Sequence, residues 1–217
     1  MAQHDFVFVY GAGISGQGVS QVLLDQGEKV ILYNDEQKDL EQTFREDMKK
    51  RGGKIVFSED PRPYLKKSKL FIISPGIPFT TDVVKKAREE KLEIIGEAEY
   101  ASRLYKGHWV GITGTNGKTT TTLLTHHILT DAGVDAGLAG NVGKSLALQV
   151  ARDPHAVYVI ELSSFQLDNM YDFKADIAIL LKITPDHLDR YDHKLQNYVD
   201  SKFRILQNQR ATDKFVY

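Results

Sequence analysis

One stretch constrains the fold more than any other. Gly114-Thr115-Asn116-Gly117-Lys118-Thr119-Thr120 sits between the β-rich run Trp109-Val110-Gly111-Ile112-Thr113 and a helical pattern spanning Leu123 to Leu129. A glycine turn between a buried strand and a helix turns backbone N–H groups towards an anion, and the helix N-terminus adds partial positive charge. Lys118 can reach β- and γ-phosphates, and the Thr119 hydroxyl can ligate Mg²⁺. The match to the general phosphate loop is imperfect, because that pattern asks for glycine where this chain has Ile112. The plain alternative is a helix N-terminus that carries Gly-Lys-Thr by chance.

A second glycine turn lies upstream. Gly11-Ala12-Gly13-Ile14-Ser15-Gly16 fits G-x-G-x-x-G, follows the run Phe6–Tyr10 and precedes a stripe of Val19, Val22, Leu23 and Leu24 that Gly27 ends. Asp35, 19 residues beyond Gly16, stands at the end of the next strand-like run, where it can accept hydrogen bonds from a ribose or a base. NAD, NADP and a UDP-sugar all present a diphosphate and a ribose, so the turn leaves the ligand open. Ser74-Pro75-Gly76-Ile77-Pro78 ends a further strand-like run; by pattern alone it is a proline-glycine turn.

Around these turns strand-like and helical patterns alternate. Val30–Tyr33, Lys54–Phe57, Leu70–Ser74 and Ile94-Ile95 are expected as strands, with a charged helix near Thr81–Lys91. The pattern restarts after Tyr105-Lys106-Gly107, with further strands near Val157–Leu162 and Ile177–Leu181. The expected architecture is α/β: a Rossmann-like parallel-sheet domain over residues 1–105, then part of a P-loop-type α/β domain over 106–217. Phe203–Leu206 are expected to continue a helix through Tyr198 and Lys202, and Asp213–Tyr217 to open a strand. A chain that stops inside a sheet is expected to be a piece of a longer one.

Composition narrows the partners. Formal net charge is −1, so a nucleotide must be held by a local site and not by bulk charge. There is no cysteine, which excludes disulfides and thiolate zinc sites. No apolar run approaches the ~18 residues of a membrane span, and no secretory pattern precedes Phe6, so a cytoplasmic location is expected.

Four segments together resemble the Mur ligase family. Thr113–Thr120 is similar to its Thr-Gly-Thr-Asn-Gly-Lys-Thr-Thr loop, which folylpolyglutamate synthase shares. Glu161-Leu162-Ser163-Ser164-Phe165-Gln166-Leu167 and Thr184-Pro185-Asp186-His187-Leu188-Asp189-Arg190-Tyr191 resemble the D-glutamate-adding type, and Ser74-Pro75-Gly76-Ile77 resembles its N-terminal domain. Relatives commonly carry asparagine where this chain has Lys182.

The resemblance implies roles. Gly13, Ile14, Ser15, Gly16, Asp35, Ser74, Pro75 and Gly76 would hold the UDP part of a substrate; Asn141, which matches a residue near the ATP and the acceptor, and Ser163 and Gln166 would also bind substrate. Gly114, Thr115, Asn116, Gly117, Lys118, Thr119 and Thr120 would bind ATP. Thr119 and Glu161 match Mg²⁺ ligands, His187 a ligand of a second Mg²⁺, and Lys202 a lysine carbamylated by CO₂ in the family. Lys118, Glu161, His187 and Lys202 form the implied catalytic set. Each has a bland reading: a strand-end glutamate in water, a surface histidine, a solvated lysine.

The implied activity joins D-glutamate to UDP-N-acetylmuramoyl-L-alanine at the expense of ATP, through an acyl phosphate, with Mg²⁺. The implied protein is a monomer with no nucleic-acid or membrane partner. The family's closing domain has no counterpart in these residues, so they are expected not to turn over alone. Two rivals stand beside this reading: an NAD(P)-dependent oxidoreductase, and a non-catalytic UDP-sugar-binding module. The first leaves the Gly114–Thr120 loop unused.

Overall fold

The structure is a computed structural model that describes residues 5–140 and 143–217. It contains two parallel sheets. The first is built from β1 (Phe6–Tyr10), β2 (Lys29–Asn34), β3 (Lys54–Phe57), β4 (Ser68–Ile73) and β5 (Glu93–Gly96), in the order β3-β2-β1-β4-β5. The second comprises β6 (His108–Thr113), β7 (Ala136–Gly140), β8 (Val157–Glu161), β9 (Ile177–Leu180) and β10 (Lys214–Val216), in the order β10-β9-β6-β8-β7. Parallel pairing requires crossovers. These are supplied in the first sheet by α1 (Ile14–Asp25), α2 (Gln42–Lys50), α3 (Arg62–Leu65) and α4 (Asp82–Glu89), and in the second by α6 (Lys118–Asp131), α7 (Leu146–Arg152), α8 (Ser164–Leu167) and α9 (Leu195–Phe203). The link between the sheets is α5 (Glu97–Leu104).

β1 explains why the first sheet is buried on both faces. Val7 and Val9 point into one apolar cluster, while Phe8 and Tyr10 point into another with Ile31, Phe71 and Val84. That is the period of two of a strand read on its two sides. The cluster under Val7 and Val9 does not stop at the first sheet. It runs through Val19, Leu23 and Ala98 to Trp109, Leu146, Tyr158 and Ile160 of the second. Gly18 permits this closeness, since a Cβ there would stand 2.2 Å from the Cβ of Ser145.

Buried carboxylates also tie α5 to the second sheet's elements. Glu97 accepts from the Ser145 hydroxyl at 2.6 Å and from the Ala147 N–H at 2.7 Å. Glu99 accepts from the backbone N–H groups of Tyr171, Asp172 and Phe173 at 3.0, 2.9 and 3.2 Å. Arg103 Nε donates to Glu99 at 3.1 Å.

Several expectations shift in detail. Ser74 lies beyond its strand, and Thr81 caps α4 by accepting from the Val84 N–H. The helix through Lys202 ends at Phe203, and 204–206 form one 3₁₀ turn in place of continued α-helix. On α6, Thr122 alone is buried; Leu123, Leu124 and Ile128 are 48%, 55% and 57% exposed.

Candidate active site

Ligands of open parallel sheets bind beyond the strands' C-terminal ends, where the strand order reverses. In the first sheet that point lies between β1 and β4. Gly11 leaves β1 at φ +105, a left-handed conformation that favours glycine. At Gly16 a Cβ would stand 1.7 Å from the Gly11 carbonyl oxygen, so the turn closes only around glycine. The Ala12 N–H donates to Asn34 Oδ1 at 3.0 Å. The Ser74 N–H donates to the Tyr10 carbonyl at 3.0 Å, and its hydroxyl donates to Gly11 O at 3.3 Å, which brings the Ser74-Pro75-Gly76 turn beside the glycine turn. Gly13 caps α1 without a side-chain partner for the helix's first N–H groups. Asp35 is exposed just past β2 and accepts a hydrogen bond from the Tyr10 hydroxyl. Burial, reinforced by Asp35, pushes the Tyr10 phenol well above its usual range.

In the second sheet the reversal lies between β6 and β9. Ile112, where a general phosphate loop would have glycine, is a buried core residue of β6; the turn itself begins at Gly114 (φ +151). Gly117 (φ +84) caps α6, again with no side-chain cap and no acidic residue in the first turn. Thr115 anchors the loop: its N–H donates to Lys182 O at 3.0 Å, and its hydroxyl donates to Thr184 O at 2.9 Å while accepting from the Thr184 N–H at 3.0 Å. The role of residue 182 in this contact is carried by its backbone, so the loop is held whichever side chain stands there. Asn116 and Thr120 are exposed beside it.

Lys118 folds back onto the loop, donating to Gly114 O at 3.0 Å and Thr115 O at 2.9 Å. The Thr119 hydroxyl donates to Glu161 Oε2 at 2.7 Å. Glu161 ends β8 and is 3% exposed. Lys202, on α9, is 1% exposed; it donates to Gly114 O at 2.9 Å and lies 4.6 Å from the Tyr198 ring centre. Burial, and then the neighbouring Lys118 charge, push its amine down to about 8. His187 adopts φ 49 and ψ 30, with its ring 5.2 Å from that of Phe165.

A cleft of about 300 Å³ gathers residues of both sheets: Pro75 and Gly76 from the first, Lys118, Ser163, His187 and Lys202 from the second. A neighbouring cleft of about 190 Å³ brings Ile14, Ser15 and Pro75 to Gln166, with Glu97 at its wall. Ser163 and Gln166 also have a local task. They form a capping box on α8, in which the Gln166 N–H donates to Ser163 Oγ at 3.2 Å and the Ser163 N–H to Gln166 Oε1 at 2.9 Å. Asp35 flanks the glycine turn on the β2 side and lines neither cleft. Asn141 lies outside the described residues. Thr119 pairs with Glu161, while His187 and Lys202 meet in the larger cleft; among the described residues no three His, Asp or Glu side chains converge as an ion site.

Sequence reasoning passed over Tyr198, Glu97 and Arg190. Tyr198 was within reach, because it precedes Lys202 by one helical turn and so shares its face. Glu97 had no local signal, since its partners come from a distant turn.

Fold and site define an α/β protein of two parallel-sheet units, each with a phosphate-type glycine turn at its switch point, facing a shared cleft. The description "Mur ligase MurD-like, N-terminal domain" matches residues 5–96, and "Mur ligase middle domain" matches residues 112–217. The chain belongs to the Mur ligase family. It is 47% identical over 211 residues to a Porphyromonas gingivalis UDP-N-acetylmuramoylalanine--D-glutamate ligase, covering 97% of this chain and 46% of that protein. The Bacteroides fragilis protein of the same description is 60% identical over 144 residues, 66% of this chain and 32% of that one. The chain thus spans about half the length of the curated relatives it matches end to end. Among solved structures, a Neisseria UDP-N-acetylmuramate:L-alanyl-gamma-D-glutamyl-meso-diaminopimelate ligase superposes with TM-score 0.58 at 18% identity, covering 94% of this chain and 69% of that one. The Thermotoga maritima UDP-N-acetylmuramate-alanine ligase gives 0.53 at 23%, covering 93% and 46%. Both show the shared fold.

Proposed function

We propose that this chain carries the UDP-substrate site and the ATP site of an ATP-dependent ligase that adds D-glutamate to UDP-N-acetylmuramoyl-L-alanine in peptidoglycan precursor synthesis. The observation that carries this reading is the larger cleft, where the Pro75-Gly76 turn of one sheet faces Lys118, Lys202 and His187 of the other. A nucleotide-linked substrate anchored in the first unit would place its far end against a phosphate loop in the second. The relatives' descriptions supply the substrates.

The residues fit a magnesium nucleotide. Uncapped N–H groups at Gly117 suit phosphate, and the Thr119–Glu161 pair offers the oxygen donors a hard cation takes. Bound Mg²⁺ would neutralise charge on the phosphoryl oxygens. Lys118, released from its loop carbonyls, would stabilise the same charge. The substrate carboxylate would attack the terminal phosphorus and displace ADP, giving an acyl phosphate. The amine of D-glutamate would then attack the acyl carbon and lose a proton, phosphate would leave with the bonding pair, and an amide would remain. Lys202 suits carbamylation. A buried amine with lowered proton affinity presents the neutral form that attacks CO₂, and the product is an anionic oxygen donor.

We divide the chain at 105/106 into a UDP-substrate unit and an ATP unit, and place Asp35, Asn141, Ser163 and Gln166 with the substrate. A monomer acting in the cytoplasm on small molecules, without nucleic acid or membrane, suits this chemistry. No helix among the described residues is long and apolar enough to cross a membrane. The relatives do not favour the NAD(P) oxidoreductase reading. Calorimetric titration with UDP-N-acetylmuramoyl-L-alanine and, in parallel, NADH tests the proposal. Binding of the first without the second supports it; binding of NADH alone overturns it.

A further inference from the structure

A short turn follows His187 where that residue lines the larger cleft. Beyond β9 the chain passes His187 and winds into a 3₁₀ turn over Leu188–Arg190, fixed by N–H donation from Arg190 to His187 O at 3.0 Å and from His193 to Leu188 O at 2.8 Å. This turn wraps Phe165. The Tyr191 ring lies nearly parallel to it at 6.2 Å and 12°, and the Arg190 guanidinium covers it at 4.3 Å. From that stacked position Arg190 Nη1 donates to the carbonyl oxygen of Gly76 at 3.4 Å. Phe165 and Gly76 both line the cleft, one from each unit, so Arg190 ties the two units together beside it.

The arrangement is selective. Asp168, Asp189 and Asp192 border the neighbouring cavity along with Arg190, yet among the described residues the guanidinium ion-pairs with none of them. The side chain instead takes an aromatic face in its own unit and a carbonyl in the other. Planarity makes arginine suited to that double task.

We infer that Arg190 is a positioning residue for the proposed reaction: through the Gly76 carbonyl it sets the Ser74–Gly76 turn across from Lys118 and Lys202. A ligand whose diphosphate is held at the first glycine turn would thereby have its far end aligned with the phosphate loop. The inference rests on the functional reading above.

The test titrates this chain with UDP, which needs the first unit alone, and with UDP-N-acetylmuramoyl-L-alanine, which must cross the cleft. For Arg190→Ala we expect affinity for the longer ligand lowered about tenfold and affinity for UDP, which the Ser74–Gly76 turn also touches, lowered by no more than about twofold. Arg190→Lys should fall between, because an ammonium keeps charge over the ring but loses the planar stack. A thermal midpoint within a few degrees of the parent shows that the variant is folded; if Arg190→Ala is not, Arg190→Lys carries the comparison. Equal affinity of parent and variant for the longer ligand overturns the inference, and so does an equal loss for both ligands. A parent chain that binds neither ligand overturns the functional reading and this inference with it.

Discussion

Lys118 and Lys202 donate to one and the same acceptor, the carbonyl oxygen of Gly114, at 3.0 and 2.9 Å. Two ammonium groups on one oxygen repel each other, and burial of Lys202 strengthens that repulsion. On the proposed reading, a nucleotide phosphate would draw Lys118 outward and relieve that repulsion.

MgATP should therefore stabilise the chain. At about 100 times the dissociation constant the gain should be about 2.7 kcal/mol, read as an upward shift of the thermal midpoint. In Lys118→Ala the shift should vanish at the same nucleotide concentration. An undiminished shift would place the nucleotide elsewhere.

Glu97 makes stability depend on pH. Burial raises its carboxyl from 4.5 to about 7, against the opposing hydrogen bonds from Ser145 and the Ala147 N–H. A raised folded value means the folded state holds the proton longer than the unfolded chain. Its contribution is thus full below pH 4.5 and is lost as pH rises through about 7. The loss should amount to about 3 kcal/mol over that window, at 1.36 kcal/mol per unit. Glu97→Gln, which does not titrate, should flatten the slope of denaturation free energy between those pH values; an unchanged slope would assign it to other groups.

Glu99 holds the turn at Tyr171–Phe173 by three backbone N–H groups. Glu99→Ala leaves those three backbone donors without their acceptor, while Arg103 keeps Glu93 and Asp172, and should cost about 1–3 kcal/mol in urea denaturation. A cost below about 1 kcal/mol would show that water replaces the carboxylate.

Gly16→Ala should cost about 1–3 kcal/mol and distort the first turn, because the new methyl meets the Gly11 carbonyl at 1.7 Å. At Gly76 a Cβ meets nothing within 4 Å, so Gly76→Ala should leave the thermal midpoint nearly unchanged. Similar midpoints for the two variants would argue against the tight closure.

Both glycine turns and most strands could be read in advance because each carries its own local signal: apolar β-branched runs, glycine at the turns, a helical stripe after. β7 had none. Its sequence, Ala-Gly-Leu-Ala-Gly, is poor in strand formers, and its place is fixed by pairing with β8, where Gly140 lies against the Glu161 backbone. In α5 two of the buried positions, Glu97 and Glu99, are carboxylates satisfied from far along the chain, so its buried face is not an apolar stripe. The candidate site divides the same way. Lys118 and Thr119 stand in a recognisable loop, whereas their meeting with Lys202 and Glu161 is a property of the fold. Leu123, Leu124 and Ile128 have a helical pattern but remain largely exposed, so apolar periodicity marked the helix without marking a core face.

The apolar cluster that runs from Val7 through Ala98 to Tyr158 has a practical corollary for anyone dissecting this chain. Topology invites a cut near residue 105, but cohesion does not. Either piece would carry away half of a common interior and expose it to water, along with a severed set of carboxylate anchors. Excised halves should be sticky, protease-sensitive fragments, and the least piece worth expressing is the pair of sheets together.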